Sequence, residues 1–161
     1  MIKNTRILII DDDPNVREAY QKILAPSTFF SEQGRDSRGE YELTLAARGE
    51  GGIQAVEQAA EQGTPFAVAF VDMKMPGCDG AETIKRVWAI DPKIKIVLVT
   101  GHVHYKSEEL LNMAEQGDLC FFRKPFTIKE IQELAEMFTT KWRQEQEREC
   151  HIQSWRVERR T

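Results

Sequence analysis

Phe66–Gly80 reads FAVAFVDMKMPGCDG, and its interpretation decides the fold. Six apolar residues, rich in β-branched and aromatic types, run directly into Asp72, and Met75-Pro76-Gly77 beyond it must turn. An unbroken apolar run bounded by turn residues is the pattern of a fully buried parallel strand. Such a strand delivers its last residue to the carboxyl edge of the sheet, where open α/β folds place their ligands. An acid at that edge is costly unless something uses it, so Asp72 is the residue to explain.

Working outward, apolar runs recur at Arg6–Ile10, Tyr41–Ala47, Ile94–Thr100 and Leu119–Phe122. Helical patterns lie between them, at Asn15–Leu24, Gly52–Gln62, Ala81–Ile90, Ser107–Gln116 and from Thr127 onward. Five strands alternating with five helices predict an α/β fold with a parallel sheet covered on both faces. Right-handed crossovers leave few topologies, and a flavodoxin-like (βα)5 arrangement with strand order 2-1-3-4-5 is expected. Pro14 suits the first turn of a helix with Asp13 as its N-cap. Asp91-Pro92 should end the third helix, because the residue before proline avoids helical geometry.

Two regions exceed this repeat. Residues 26–40, PSTFFSEQGRDSRGE, are longer than the usual connection and read as an inserted loop, with Phe29 and Phe30 expected to pin it to the body or, alternatively, to bind a partner. The second is the C-terminal helix. Residues 127–160 contain no proline or glycine, and if helical throughout they would extend roughly 50 Å. Ile128, Ile131, Leu134, Phe138 and Trp142 hold helical spacing and should pack on the sheet. The stretch after Trp142 is highly polar, with Cys150, Ile152 and Trp155 as scattered apolar points. Two organisational units are therefore expected, a domain over 1–140 and a helical extension or linker over 141–161. The extension reads either as a solvated end or as a connecting helix that forms a homodimer with a second copy.

Composition narrows the function. The 161 residues are 30% charged and 41% hydrophobic, ordinary for a soluble globular chain. A net charge of −4 offers no basic field, so direct nucleic-acid binding is not expected. No apolar run approaches the roughly 18 residues that span a bilayer, and the N-terminus shows no cleavage-site pattern. Three widely spaced cysteines, Cys78, Cys120 and Cys150, form neither a disulfide framework nor a zinc motif and suit a reducing, cytoplasmic setting. Cys78 reads as a loop residue without a redox role. His102 and His104 lack a third ligand and also read as loop residues.

The chemistry sits in a carboxylate cluster. The first strand ends in Asp11-Asp12-Asp13, and the first and third strands are neighbours in the expected order, so these acids converge on Asp72. At an effective dielectric near 20, each carboxylate pair at about 4 Å repels by roughly 4 kcal/mol. A cation or raised pKa values must relieve this. Hard oxygen ligands without His or Cys point to Mg²⁺. The fourth strand ends in Thr100, a hydroxyl, and the fifth leads to Lys124, a cation at the same edge. Carboxylate nucleophile, magnesium, hydroxyl and ammonium together suit phosphoryl transfer to an aspartate.

Four segments in register, IDDDP, VDMKMPGCDG, the VTG that follows IKIVL, and FFRKPF, resemble the receiver domain of two-component response regulators. By that resemblance Asp72 is the phosphoacceptor, taking its phosphoryl group from a sensor histidine kinase or phosphotransfer protein. Asp11 and Asp12 match the acidic pair, with Asp12 the direct magnesium ligand and Asp11 acting through water. The resemblance adds Asp72 itself and the main-chain carbonyl of Lys74 to the metal set. Thr100 matches the switch hydroxyl, Lys124 the lysine that pairs with phosphate, and Phe121 the aromatic switch residue, read as a core aromatic. The Lys124–Pro125 peptide is expected to be cis. Lys74 and His102, two residues beyond the acceptor and the threonine, occupy positions that influence phosphoryl hydrolysis. The signal is expected on the face formed by the fourth helix, fifth strand and fifth helix, for a downstream effector domain or partner.

Two other readings compete. One is a receiver-like adapter that works without phosphorylation, against which the intact acids, threonine and lysine speak. The other is a phosphatase of the haloacid-dehalogenase type. That class needs a second aspartate two residues after the first, where this chain has Lys74.

Overall fold

The computed structural model describes residues 3–25, 41–101 and 108–158. The expected insertion at 26–40, with Phe29 and Phe30, and the pair His102 and His104 lie outside the described residues, as does the side chain of Trp155. The elements run β1 (Arg6–Ile10), α1 (Pro14–Leu24), β2 (Glu42–Ala46), α2 (Gly49–Gln62) and β3 (Val68–Asp72). They continue with α3 (Gly80–Ile90), β4 (Lys95–Thr100), α4 (Glu108–Gln116), β5 (Leu119–Arg123) and α5 (Ile128–Glu158). The five strands form one parallel sheet in the order β2-β1-β3-β4-β5, as the sequence predicts.

Successive strand residues point to opposite faces, and both faces are covered. Leu8, Ile10, Ala69, Val71, Ile96 and Leu98 pack with Ile53 and Val56 of α2 and Ile84 and Val87 of α3. Ile7, Ile9, Val68, Phe70, Val97 and Val99 pack with Tyr20 and Leu24 of α1 and with Ile131, Ala135, Phe138 and Trp142 of α5. Burial on both faces is why β1, β3 and β4 read as continuous apolar runs rather than alternating ones.

The ends of several elements depart from the sequence reading. The third strand begins at Val68 rather than Phe66 and includes Asp72, although Phe66 and Ala67 are buried as well. Helix α2 starts at Gly49, three residues before the expected Gly52. Glycine is a poor helix former, but here close packing requires it. A Cβ at Gly52 would lie 2.2 Å from the Ile10 side chain, and one at Gly49 would lie 2.2 Å from the Thr83 hydroxyl. Asp13 caps α1 by accepting from the Asn15 N–H at 2.9 Å, and α3 stops at Ile90 ahead of Asp91-Pro92.

The fifth helix corrects one expectation. Ile128 does not pack on the sheet and is 63% exposed, being the first residue of the helix, ahead of the turns that cover the strands. Beyond Trp142 the polar stretch stays attached to the body for two further turns. Lys95, only 3% exposed at the start of β4, bonds Asp118 at 2.7 Å and also Glu145 of α5. Lys141 pairs with Asp118, and Lys93 bonds Glu149 at 2.8 Å. Charged residues thus continue the attachment that the apolar stripe begins. Among the described residues, no helix is long and apolar enough to cross a membrane.

Candidate functional site

The parallel register builds the site. Ile10 of β1 pairs with Val71 of β3, so Asp11 and Asp72, one residue further along each strand, sit side by side at the carboxyl edge. Asp12 follows, and carboxylate oxygens from Asp11, Asp12 and Asp72 all lie within 4.8 Å of one another. Asp11 and Asp72 are buried, whereas Asp12 is exposed.

The loop after β1 is fixed by its own backbone. The Asp11 carboxylate accepts from the Asp13 N–H at 2.9 Å, and the Asp11 carbonyl accepts from the Arg17 guanidinium at 2.7 Å. The loop after β3 turns through Gly77, whose φ of 80° lies in the left-handed region that favours glycine. It returns at Gly80, whose N–H donates to the Met73 carbonyl at 2.9 Å. A Cβ at Gly80 would sit 2.7 Å from the Asp72 carbonyl oxygen, so glycine permits α3 to start directly against the acceptor strand.

Lys124 reaches this cluster from beyond the end of β5. Its ammonium lies 3.1 Å from an Asp11 oxygen and 3.5 Å from an Asp72 oxygen. Its N–H donates to the Thr100 carbonyl at 2.9 Å, and the peptide to Pro125 is cis, as expected. Burial, then the charge of Asp11, push the Asp72 carboxyl up to about 6, with a smaller push from Asp12; Lys124 pulls in the opposite direction. Burial works against the charge on Lys124, but Asp11 and Asp72 outweigh it and hold the ammonium above its ordinary range. The acids therefore carry more negative charge than one lysine balances, which is the condition for recruiting a cation.

Asp11, Asp12, Asp72 and Lys124 are thus brought together. Thr100 ends β4 beside the acceptor strand, where Val99 pairs with Asp72. Lys74 is exposed, two residues past the acceptor. Phe121 is not the core aromatic the sequence suggests: it is 40% exposed, because β5 is the edge strand of the sheet, beside β4. Cys78 sits in the loop after β3, where its N–H donates to Glu50 at 3.2 Å.

Two neighbours of the site escape the sequence reading. Arg17 lies one helical turn after Asp13 and looks like any surface cation. Tyr20, 1% exposed, looks like an ordinary apolar-face residue of α1. Its burial, then the charges of Asp11 and Asp72, hold its phenol well above the ordinary range, so it stays protonated beside the acids.

Comparison with known proteins agrees with this geometry. The chain is 29% identical over 135 residues to sporulation initiation phosphotransferase F of Bacillus subtilis, covering 84% of this chain and 94% of that protein. It is 30% identical over 115 residues to the C4-dicarboxylate transport transcriptional regulatory protein DctD of Rhizobium meliloti, covering 69% of this chain but only 25% of that one. Among solved structures, a CheY-like response regulator receiver domain protein from Methanospirillum hungatei superposes with a TM-score of 0.69 at 24% identity. That match covers 88% of this chain and 98% of that one. A chain described as adenylate cyclase from Rhodopirellula baltica gives 0.75 at 23% identity, covering 93% and 98%, and speaks to the fold alone. The family model for the response regulator receiver domain matches residues 7–136, and the chain belongs to that family.

Proposed function

We propose that this receiver domain works as a phosphorylation-dependent signalling switch with Asp72 as its acceptor. The observation that carries this reading is the placement of the Lys124 ammonium 3.1 Å from Asp11 and 3.5 Å from Asp72, over three clustered carboxylates. An Asp72 oxygen attacks phosphorus, the bond to the imidazole nitrogen of a partner's phosphohistidine breaks, and that nitrogen leaves with the electron pair. With a pKa of about 6 the acceptor is mostly ionised at neutral pH and therefore nucleophilic. The donor is a sensor histidine kinase or a phosphotransfer protein.

The donor set fits Mg²⁺, because the cluster found among the described residues is three carboxylates, which suit a hard cation. Asp11, Asp12, Asp72 and the main-chain carbonyl of Lys74 would hold it. When bound, the ion neutralises charge on the transferring phosphoryl oxygens. Lys124 pairs with the phosphoryl group and orients it. Thr100 turns toward the phosphoryl oxygens, and Phe121 reports the change on the outer face of α4, β5 and α5. The domain catalyses its own phosphoryl transfer and dephosphorylation and no separate reaction. Its output is a downstream effector domain or a partner protein, and the long α5 is the element proposed to engage it or to pair with a second copy as a homodimer.

Incubation with Mg²⁺ and acetyl phosphate tests the reading. Stable labelling that disappears in Asp72→Ala supports it. Absence of labelling would favour a phosphorylation-independent adapter, and turnover of free phosphate esters would favour a phosphatase.

A further inference from the structure

Lys124 has a long way to reach. It follows β5, the edge strand, whereas Asp72 is two strands away and Asp11 three. With strands about 4.8 Å apart, these separations are roughly 10 Å and 14 Å. An extended lysine spans roughly 6 Å from Cα to Nζ by standard bond lengths. The contact with Asp11 therefore needs the backbone after β5 to lean inward over the sheet. One tether is the hydrogen bond from the Lys124 N–H to Thr100, which holds the segment only to its immediate neighbour β4.

The second tether is aromatic and lies further in. Phe126, two residues after Lys124, meets the ring of Tyr20 at a centroid distance of 5.1 Å. The same Tyr20 ring meets Phe70, two residues before Asp72, at 5.3 Å. One buried ring on α1 therefore joins the strand that carries the acceptor to the segment that carries the ammonium. Tilted aromatic pairs at these separations hold geometry as well as burying area.

We propose that Tyr20 is a positioning residue for phosphoryl recognition, using its ring to draw the Lys124–Phe126 segment inward so that the ammonium stands over Asp11 and Asp72. The inference rests on the functional reading above for its consequence, though not for its geometry. The ring and not the hydroxyl performs this task.

The test compares Tyr20→Leu, Tyr20→Phe and Phe126→Leu with the parent and with Lys124→Ala. Binding of Mg²⁺ alone is measured first, then binding of beryllofluoride in saturating Mg²⁺. In Tyr20→Leu and in Phe126→Leu, the Mg²⁺ dissociation constant should stay within about twofold. Beryllofluoride should bind about tenfold more weakly, the scale of a misplaced charge-assisted contact. Tyr20→Phe should restore parental binding. Adding Tyr20→Leu to Lys124→Ala should cost nothing further, since the two changes act through one contact. Equal losses in the parent and Lys124→Ala backgrounds would overturn the proposal, as would loss in Tyr20→Phe or unchanged binding in Tyr20→Leu. If the parent protein itself fails to bind beryllofluoride, the functional reading falls, and crystal structures still decide the positioning. The Lys124–Asp11 distance should open beyond 4 Å in Tyr20→Leu or Phe126→Leu and stay closed in Tyr20→Phe; closed distances in both leucine variants would refute it.

Discussion

Replacing Asp72 by asparagine should make the metal-free protein more stable at neutral pH. Its carboxyl moves from an ordinary 3.8 to about 6 in the fold, chiefly through burial and the neighbouring Asp11, against the pull of Lys124. An acid with a raised folded-state pKa binds its proton more tightly when folded. Its contribution is fully present below pH 3.8 and is lost as pH rises through about 6. A shift of about two units at 1.36 kcal/mol per unit means that ionised Asp72 costs the fold about 3 kcal/mol at pH 7.5. Asparagine removes that charge while keeping the shape. In thermal unfolding with a chelator at pH 7.5, Asp72→Asn should melt about 6–12 °C above the parent, from the usual 2–4 °C per kcal/mol for a chain of this size. The gap should shrink as pH is lowered and nearly close at pH 4, where the parent acid is protonated in the fold. Added Mg²⁺ should narrow it at pH 7.5, since ligand at a hundred times its dissociation constant stabilises the parent by about 2.7 kcal/mol. Equal melting temperatures at pH 7.5 in chelator, or a gap undiminished at pH 4, would refute this account of the site.

Other perturbations probe different parts of the molecule. Lys95→Ala removes a buried cation from Asp118 and Glu145, carboxylates whose side chains remain 31% and 35% exposed. Because these acids rehydrate and Asp118 keeps Lys141, the cost should be about 1–3 kcal/mol, below the figure for a fully buried pair. Amide exchange in residues 143–149 should accelerate as well, and unchanged unfolding and exchange would show that the ion network does not hold α5. Gly80→Ala drives a Cβ to 2.7 Å from both the Asp72 carbonyl oxygen and the Met73 Cα, backbone atoms with little room to yield. Urea denaturation should register a loss of about 1–3 kcal/mol, whereas parental stability would mean that α3 shifts freely. Lys74→Asn takes an exposed cation from beside the acceptor, and the aspartyl phosphate should decay about two- to fivefold faster, the range of an exposed charge interaction. Identical decay rates would exclude Lys74 from control of the phosphoryl lifetime.

Strand order and the gathering of Asp11, Asp12, Asp72 and Lys124 at one edge are legible in the chain. The elements follow from apolar period and turn residues, and their order from the handedness of the crossovers. Burial along a strand or helix repeats with the backbone, so a linear pattern carries it. What lies across the fold is different. The exposure of Phe121 follows from β5 being at the edge, and that of Ile128 from where α5 first meets the sheet; neither differs in type from Phe122 and Ile131, which pack inward. The attachment of α5 beyond Trp142 depends on Lys95 and Lys93 meeting Glu145 and Glu149, 50 and 56 residues further along, in a stretch that reads as solvated because its residues are charged. Tyr20 is the clearest case. Its apolar spacing on α1 announces burial, but only packing sets its ring between Phe70 and Phe126. Local periodicity specifies which side of an element faces inward, whereas the partners met there depend on how distant elements are juxtaposed, and that is decided when the chain closes on itself.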